Sequence, residues 1–491
     1  MEKAHMVFIP WPTMGHLAQL VELAKLMIQR SEKRFSITIL IMELPDSIDS
    51  AGNTLINSLV ASTTTEGIQF FHLPPTNPSP EWSSRTRGYF VHKLIESQKP
   101  HVKNFIDQSR IHQSPNEKLV GCVIDMLCTT MIDVAEDSGL PSYVFFTSGA
   151  GFLGLMLHFQ TLQDEHNQEI SEISDSRTPL PFPSFNYPVP PNVLPLMLLY
   201  KQSWSDRFLL YARDYRKAKA IIINTFPELE SHALNSFSVP GASYGIPRLP
   251  QIYSVGPILN QVRQQHGSHD GQSNIMKWLD DQPQNSVVYV CFGSQGSLQE
   301  DQVKELAYGL EQSGYKFLWS LRKPSPENNT AAFPSEYMNY QEVLPEGFLD
   351  RTSTVGKVTG WVSQLDILSH AAVGGFVSHC GWNSVLESIW CGVPIATWPL
   401  HSEQHLNAFQ LVQELGLAVA ITFDYQEWNK NQALITTEEV EKGIRRVMEC
   451  ESEVRQRAKQ MRDKSRMSMT EGGSSYKSLL NLIEHMLLNT H

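Results

Sequence analysis

The chain reads as α/β, two doubly wound domains in tandem, and three observations carry that reading. Its opening runs from an apolar strand through a glycine-containing turn into an amphipathic helix. The same pattern returns near residue 286. A chain of 491 residues is also too long for one hydrophobic core and suits two domains.

The first strand covers Met6-Val-Phe-Ile-Pro10, the turn Thr13-Met-Gly15-His16, and the helix places Leu17, Leu20, Val21, Ala24 and Ile28 on one face. Phe35 to Met42, Leu119 to Asp125 and Ser142 to Phe146 follow as buried strands. The Pro-rich stretch from Thr178 to Pro195 has no period. Around Gly256 to Asn274, Gln261-Val-Arg-Gln-Gln-His-Gly-Ser-His-Asp-Gly-Gln-Ser lacks apolar spacing and is rich in turn formers, so 1–255 is one domain and 256–274 a linker. The second domain, 275–470, opens with the apolar strand Ser286 to Phe292, the turn Gly293-Ser294-Gln-Gly296 and a helix over Glu300 to Glu311 that turns Val303, Leu306 and Leu310 inward. Phe317 to Leu321, Gly375 to Ser378 and Ile395 to Trp398 are its further strands. Thr437 to Met448, Glu451 to Met467 and Ser474 to Leu488 are amphipathic helices, the last in the closing segment 471–491.

Composition narrows the function. With 41% hydrophobic and 18% charged residues the chain is an ordinary soluble globular protein, and a formal net charge of −12 argues against nucleic acid or an anionic membrane as partner. The first apolar run is too short for a signal peptide and no stretch is long enough to span a bilayer, so a cytoplasmic protein is expected. The six cysteines, Cys122, Cys128, Cys291, Cys380, Cys391 and Cys450, lack metal-ligand spacing and read as reduced thiols. Asn328-Asn329-Thr330 matches a glycosylation sequon that has no meaning in the cytosol.

The densest chemical signal is the stretch from Trp361 to Gln404. The apolar run Gly375 to Val377 ends in His379-Cys-Gly-Trp-Asn-Ser, and Leu386, Ile389 and Trp390 then recur at helical spacing. The first backbone N–H groups of a helix have no internal partner, so a diphosphate fits at that turn beside His379, Asn383 and Ser384, with His379 offering a cationic or hydrogen-bonding edge. Glu387, one turn on, reaches both hydroxyls of a ribose, and Trp361 offers a flat face to a base. Glu403 and Gln404 follow a strand, where they can hold sugar hydroxyls. Taken singly, such a Trp is more often core and such a Glu a solvated helix face; the order of the whole set is what points to a nucleotide-sugar.

A second set lies in the first half. Transfer to a hydroxyl needs a base, and a histidine with an ordinary pKa near ~6.5 is suited to that at neutral pH. His16 sits at the carboxyl end of the first strand, where doubly wound sheets bind ligands, beside Gly15, which permits close approach. Asp125 ends another apolar strand and either orients that imidazole or caps the following helix.

Residues 361–404 resemble, over their whole length, the signature box of plant family 1 UDP-glycosyltransferases, which glycosylate small lipophilic acceptors. The resemblance implies the GT-B fold, with two Rossmann-like domains facing a central cleft, an acceptor-binding first domain, a UDP-sugar-binding second domain and a last helix that crosses back to the first. It implies that Trp361 stacks on uracil, that Val362 and Gln364 contact uracil and ribose, that Glu387 holds the ribose, and that His379, Asn383 and Ser384 bind the diphosphate. Trp382, Glu403 and Gln404 would face the sugar, Gly15 and Thr147 would touch the donor, and Ser294 would contact phosphate. It selects the catalytic dyad reading for His16 and Asp125, a single displacement with inversion giving a β-glucoside, and glucose as the sugar through Gln404. Acceptor contacts are expected from Trp11, Phe90, Met126, Phe152, Leu196 and His401. The box departs from the family at Ser363, usually Pro, and at His401, usually bulky or aromatic.

No cofactor beyond UDP-glucose as co-substrate is expected, and no metal, since Asp-x-Asp is absent and the helix N-terminus and His379 take a cation's place. His401 and His405 lie four apart, as zinc ligands can, but lack the adjacent Glu of the protease motif. The partners are then a UDP-sugar and a small lipophilic acceptor, and the protein a monomer. A nicotinamide dehydrogenase fails because neither glycine turn has G-x-G-x-x-G spacing. Two alternatives stay open: another UDP-sugar such as galactose or xylose, and a non-catalytic binder of small molecules or nucleotide-sugars.

Overall fold

A computed structural model describes residues 3–83, 87–112, 114, 116–168, 178–195, 205–238, 244, 249–259, 269–325, 333–427, 429 and 432–488. Seven parallel strands form the first sheet: β1 (Lys3–Ile9), β2 (Phe35–Ile41), β3 (Ile68–His72), β4 (Glu117–Asp125), β5 (Ser142–Phe146), β6 (Ala220–Ile223) and β7 (Gln251–Ser254), in the order β3-β2-β1-β4-β5-β6-β7. The second sheet uses β8 (Val287–Cys291) and β9 (Lys316–Ser320). A short antiparallel ribbon, β10 (Arg322–Lys323) and β11 (Ser335–Glu336), comes next in the chain. Then β12 (Gly356–Thr359), β13 (Val373–Ser378), β14 (Ile395–Thr397) and β15 (Ala418–Ala420) complete the second sheet in the order β12-β9-β8-β13-β14-β15. Both sheets are therefore doubly wound. Each has its switch point beside its first strand, between β1 and β4 in one and between β8 and β13 in the other, and ligands bind at the carboxyl ends of strands there.

Parallel strands buried on two faces need apolar residues on both. One face of the first sheet packs Val7, Ile9, Ile124 and Phe146 with Phe90, Phe152 and Tyr211 from helices. The other packs Met6, Phe8 and Phe145 with Leu17, Leu20 and Val21 of the helix Met14–Arg30.

The expected helices formed. Thr437–Met448 starts on a capping box in which Thr436 and Glu439 satisfy each other's backbone N–H groups. The next runs Glu453–Met469 and the last Ser474–Leu487, each shifted by at most two residues from the spacing-based bounds. One boundary differs. The helix His269–Asp280 begins inside the stretch expected to be linker, and its Ile275 and Leu279 join the core of the second domain. Its first turn carries no apolar residue, so the sequence pattern hid it. The sequon 328–330 lies outside the described residues.

The last helix does cross back. Leu479, Leu482, Ile483 and Met486 have no accessible surface and lie against the first sheet, among Met6, Val120 and Tyr143. Tyr253 and His485 are bonded at 2.9 Å, and Arg34 donates to Glu484 at 2.6 Å. Buried methyl groups carry this junction, because exposed ion pairs such as Arg34–Glu484 contribute little. Ile483→Ala is accordingly expected to destabilise the protein by about 2–5 kcal/mol in chemical denaturation, while Glu484→Ala leaves the midpoint nearly unchanged.

Candidate active site

The carboxyl ends of the two sheets meet, and the candidate residues line the seam. Asp125, the last residue of β4, has no accessible surface. Its Oδ1 accepts the Leu127 N–H at 2.9 Å and its Oδ2 pairs with His16 Nδ1 at 2.8 Å. The first bond closes a turn ahead of the helix Thr130–Asp137, whose N-cap is Thr129, so Asp125 does not cap that helix, and its second oxygen faces the imidazole. His16 lies in the first turn of the helix Met14–Arg30, with its side chain one quarter exposed. Thr147 Oγ1 also approaches Nδ1, at 3.3 Å, and the Trp11 ring lies 6.5 Å away between centroids. Burial alone lowers the pKa of His16, but the Asp125 charge and hydrogen bond, helped by Glu403, outweigh it and raise the imidazole above its ordinary 6.5.

On the facing wall the helix Trp382–Cys391 begins just after β13. Cys380 takes a left-handed φ of 62° at that turn, and Gly293, at φ 76°, leaves room for His379: a Cβ there would lie 2.6 Å from the imidazole Nε2. His379 is buried, and its Nδ1 has no hydrogen-bond partner. Burial pushes its pKa down to about 4, so the imidazole is neutral at physiological pH and offers a hydrogen bond. Of the cationic and hydrogen-bonding edges expected of it, the hydrogen-bonding one fits this burial. Glu387 is buried as well; burial raises its carboxyl to about 7 against the opposing bond from Gln364, whose Nε2 donates to Glu387 Oε2 at 2.7 Å and to Ser384 Oγ at 2.9 Å. Gln364, Ser384 and Glu387 therefore form one connected group. Trp361, partly exposed, has its N–H held by Glu336 at 3.0 Å; Val362 is buried, and Ser294 is exposed in the turn after β8.

The seam itself uses several site residues. Asn383 Nδ2 donates to the Gly15 carbonyl at 3.2 Å, and Gln19 donates to Asn383 Oδ1. The indole of Trp382 donates to the Asn224 carbonyl at 2.7 Å and packs where a Cβ on Gly149 would be. Its ring is thus engaged with the first domain, and its backbone N–H lies at the helix start. Ser148 Oγ donates to Glu403 Oε1 at 3.0 Å. Gln404 is buried, its Oε1 accepting the N–H groups of Leu400 and His401 at 2.9 and 3.0 Å.

The acceptor candidates divide. Trp11 and Met126 lie in the apolar cluster beside the dyad, 7% and 5% exposed. Phe90 has no accessible surface and meets Trp82 edge-on at 6.4 Å, and Phe152 is only 2% exposed against Phe146 and Phe208; both are core behind the wall in this conformation. Leu196 lies outside the described residues. His401 is one fifth exposed and tied to its own loop. His405 Nε2 is bonded to the Tyr425 carbonyl at 2.7 Å, so it does not converge with His401.

Sequence reasoning missed Gln19, Asn224 and Glu230. Glu230, buried, accepts the N–H groups of Ala150 and Gly151 at 2.8 and 2.9 Å and receives Gln410 of the second domain at 3.1 Å. In the sequence it is one of two acidic residues at the start of a helix, with no mark to distinguish it from Glu228.

Two doubly wound domains that meet at their strand carboxyl ends are the GT-B arrangement of glycosyltransferases. The family model "UDP-glucoronosyl and UDP-glucosyl transferase" matches residues 242–452. The putative UDP-glucose flavonoid 3-O-glucosyltransferase 3 of Fragaria ananassa is 47% identical over 99% of this chain and 100% of its own length. A UGT transferase from Siraitia grosvenorii, solved in complex with UDP, superposes with a TM-score of 0.87 at 42% identity, covering 99% and 100% of the two chains. UGT71G1 from Medicago truncatula, complexed with UDP-glucose, gives 0.84 at 36% identity over 99% and 98%. The chain belongs to the plant UDP-glycosyltransferase family and is a glycosyltransferase.

The dyad makes a direct prediction. The pairing with Asp125 contributes stability that is complete below the ordinary histidine pKa and is lost as pH rises through the raised folded value. In an NMR pH titration His16 should titrate above 6.5, and in Asp125→Asn, where burial acts without the charge, below it. An unchanged midpoint would show that Asp125 does not set it.

Proposed function

We propose that the protein transfers glucose from UDP-glucose to a hydroxyl of a small lipophilic plant metabolite, of the flavonoid, phenylpropanoid, lignan or triterpenoid kind, with inversion to a β-O-glucoside. The observation that carries this is the His16–Asp125 pair, 2.8 Å apart, opposite the N-terminus of the helix Trp382–Cys391. Asp125 occupies Nδ1, which fixes the tautomer and leaves Nε2 to take the acceptor's proton. The freed oxygen attacks the anomeric carbon on the face opposite UDP. The bond to the diphosphate oxygen breaks, and the charge on UDP falls on the backbone N–H groups at the helix start, with His379 and Ser384 beside them. Attack opposite the leaving group inverts an α-linked donor.

The Fragaria relative, named as a putative flavonoid 3-O-glucosyltransferase, and the UDP-glucose bound in the Medicago structure support glucose and a flavonoid-like acceptor. The apolar surroundings of the dyad, Trp11 and Met126 among them, suit a flat lipophilic molecule. Metal-independent chemistry in a cytoplasmic monomer completes the proposal. Among the described residues no three His, Cys, Asp or Glu side chains gather as a metal site, and no helix is long and apolar enough to cross a membrane.

The test is incubation with UDP-glucose and a phenolic and terpenoid panel, with products read by mass; no hexosylated product from any acceptor would favour a binding protein. His16→Ala is expected to lose on the order of 10² to 10⁴ in turnover while still binding UDP. A second measurement concerns Glu387. With its carboxyl raised to about 7, binding of ribose hydroxyls to the ionised form releases a proton. UDP affinity should therefore weaken as pH falls below about 7 in the wild type, and less so in Glu387→Gln, by calorimetry in buffers of different ionisation heat.

A further inference from the structure

His401, the least family-like member of the 361–404 stretch, is built into a four-residue relay. Gln404 Oε1 accepts two backbone N–H groups, from Leu400 at 2.9 Å and His401 at 3.0 Å. Only an oxygen can face two N–H donors, so the amide NH₂ of Gln404 necessarily points the other way, to His401 Nδ1 at 3.3 Å. That NH₂ only donates, so Nδ1 accepts and the ring proton of the neutral imidazole sits on Nε2. Nε2 lies 3.7 Å from Glu427 Oε2, within ion-pair range but beyond a hydrogen bond. Glu427 is fixed in turn: its Oε1 accepts both the N–H and the hydroxyl of Ser297, at 3.1 and 2.8 Å, from the turn after β8. Ser402 Oγ lies 3.1 Å from the same Nδ1.

The consequence concerns what Gln404 offers a ligand. Its oxygen is committed to the backbone and one N–H to His401, which leaves one N–H and no acceptor. Glu403, next in the chain, is the reverse: an acceptor-only carboxylate, already holding the Ser148 hydroxyl. We infer that His401 is a positioning residue for donor-sugar selection: the backbone fixes which end of the Gln404 amide is oxygen, and the His401 ring sets where the remaining N–H points beside the Glu403 carboxylate, toward neighbouring sugar hydroxyls. This rests on the transferase reading above and extends it from which sugar is used to what enforces the choice. Without the His401 imidazole the Gln404 oxygen stays on its two backbone N–H groups, but the NH₂ end loses the partner that sets the plane of the amide, and its remaining N–H is no longer held toward the sugar.

The test compares kcat/KM for UDP-glucose and for UDP-galactose, which differ in the orientation of one hydroxyl, in wild type and variants. His401→Leu removes the acceptor at Nδ1 and is expected to lower the ratio about five- to ten-fold, the value of one ordinary hydrogen bond, with UDP affinity unchanged as the check on folding. His401→Asn places an amide oxygen where Nδ1 stood and should restore most of the ratio. In Gln404→Ala the ratio falls too, and adding His401→Leu to it should cost nothing further, because both act through one side chain. An unchanged ratio in His401→Leu, a changed acceptor KM in its place, or full additivity in the double variant would overturn the inference. Absence of transfer by the wild type from either donor would instead overturn the transferase reading, and the inference with it.

Discussion

A carboxylate with no accessible surface is the constraint from which the rest of this site follows. Taking a charge out of water costs several kcal/mol unless its lone pairs are met, and at Asp125 they are met by one backbone N–H and one imidazole. The backbone bond comes from the chain's own turn after β4 and is local. The imidazole comes from a residue more than a hundred positions earlier, and only the adjacency of β1 and β4 in the sheet brings it there. The switch point of the first sheet and the proposed base are thus one feature.

The second sheet repeats the geometry with the opposite chemistry. At its switch point burial drives the titratable groups toward neutrality: His379 is held unprotonated and Glu387 is pushed up toward half-protonation at pH 7. The wall is left with dipoles, the N–H groups of a helix start and the amides of Gln364 and Asn383. The two walls are then fastened by side chains that belong to both. Asn383 reaches Gly15 and Gln19, and Trp382 reaches Asn224, so the residue beside His16 and the residues at the helix start are held in one frame.

Much of this was legible in the sequence, for a physical reason. Buried parallel strands must be apolar throughout, so β1, β4, β8 and β13 declared themselves as short apolar runs, and a polar residue at the end of such a run, as with His379 and Asp125, stands out. The starts of helices are also local events, readable at Glu300 and Ser474. What could not be read were pairings across the seam. Gln19 lies within an amphipathic helix and Glu230 at the start of another, and each is ordinary until the facing domain supplies Asn383 or Gln410. The bond from the Trp382 indole to Asn224 was hidden for the same reason, since its partner is a backbone carbonyl, which leaves no trace in side-chain identity. The helix at His269 was missed because its first turn has only polar residues.

The uneven distribution of charge across the cleft has an electrostatic logic of its own. A chain of formal net charge −12 repels an incoming diphosphate at long range, yet that repulsion is screened beyond roughly 8 Å at physiological salt. What decides binding is therefore the last few ångströms, where N–H groups aimed at the anion act with little screening. Fixed cations there would have to be desolvated and buried, the same burial that pushes the pKa of His379 down. Backbone dipoles carry no such penalty, because the fold orients them already. The ionisable pair is kept on the opposite wall, where the Asp125 carboxylate holds the His16 imidazole and proton transfer requires a group that can titrate. Each wall thus holds the kind of electrostatics its own burial permits.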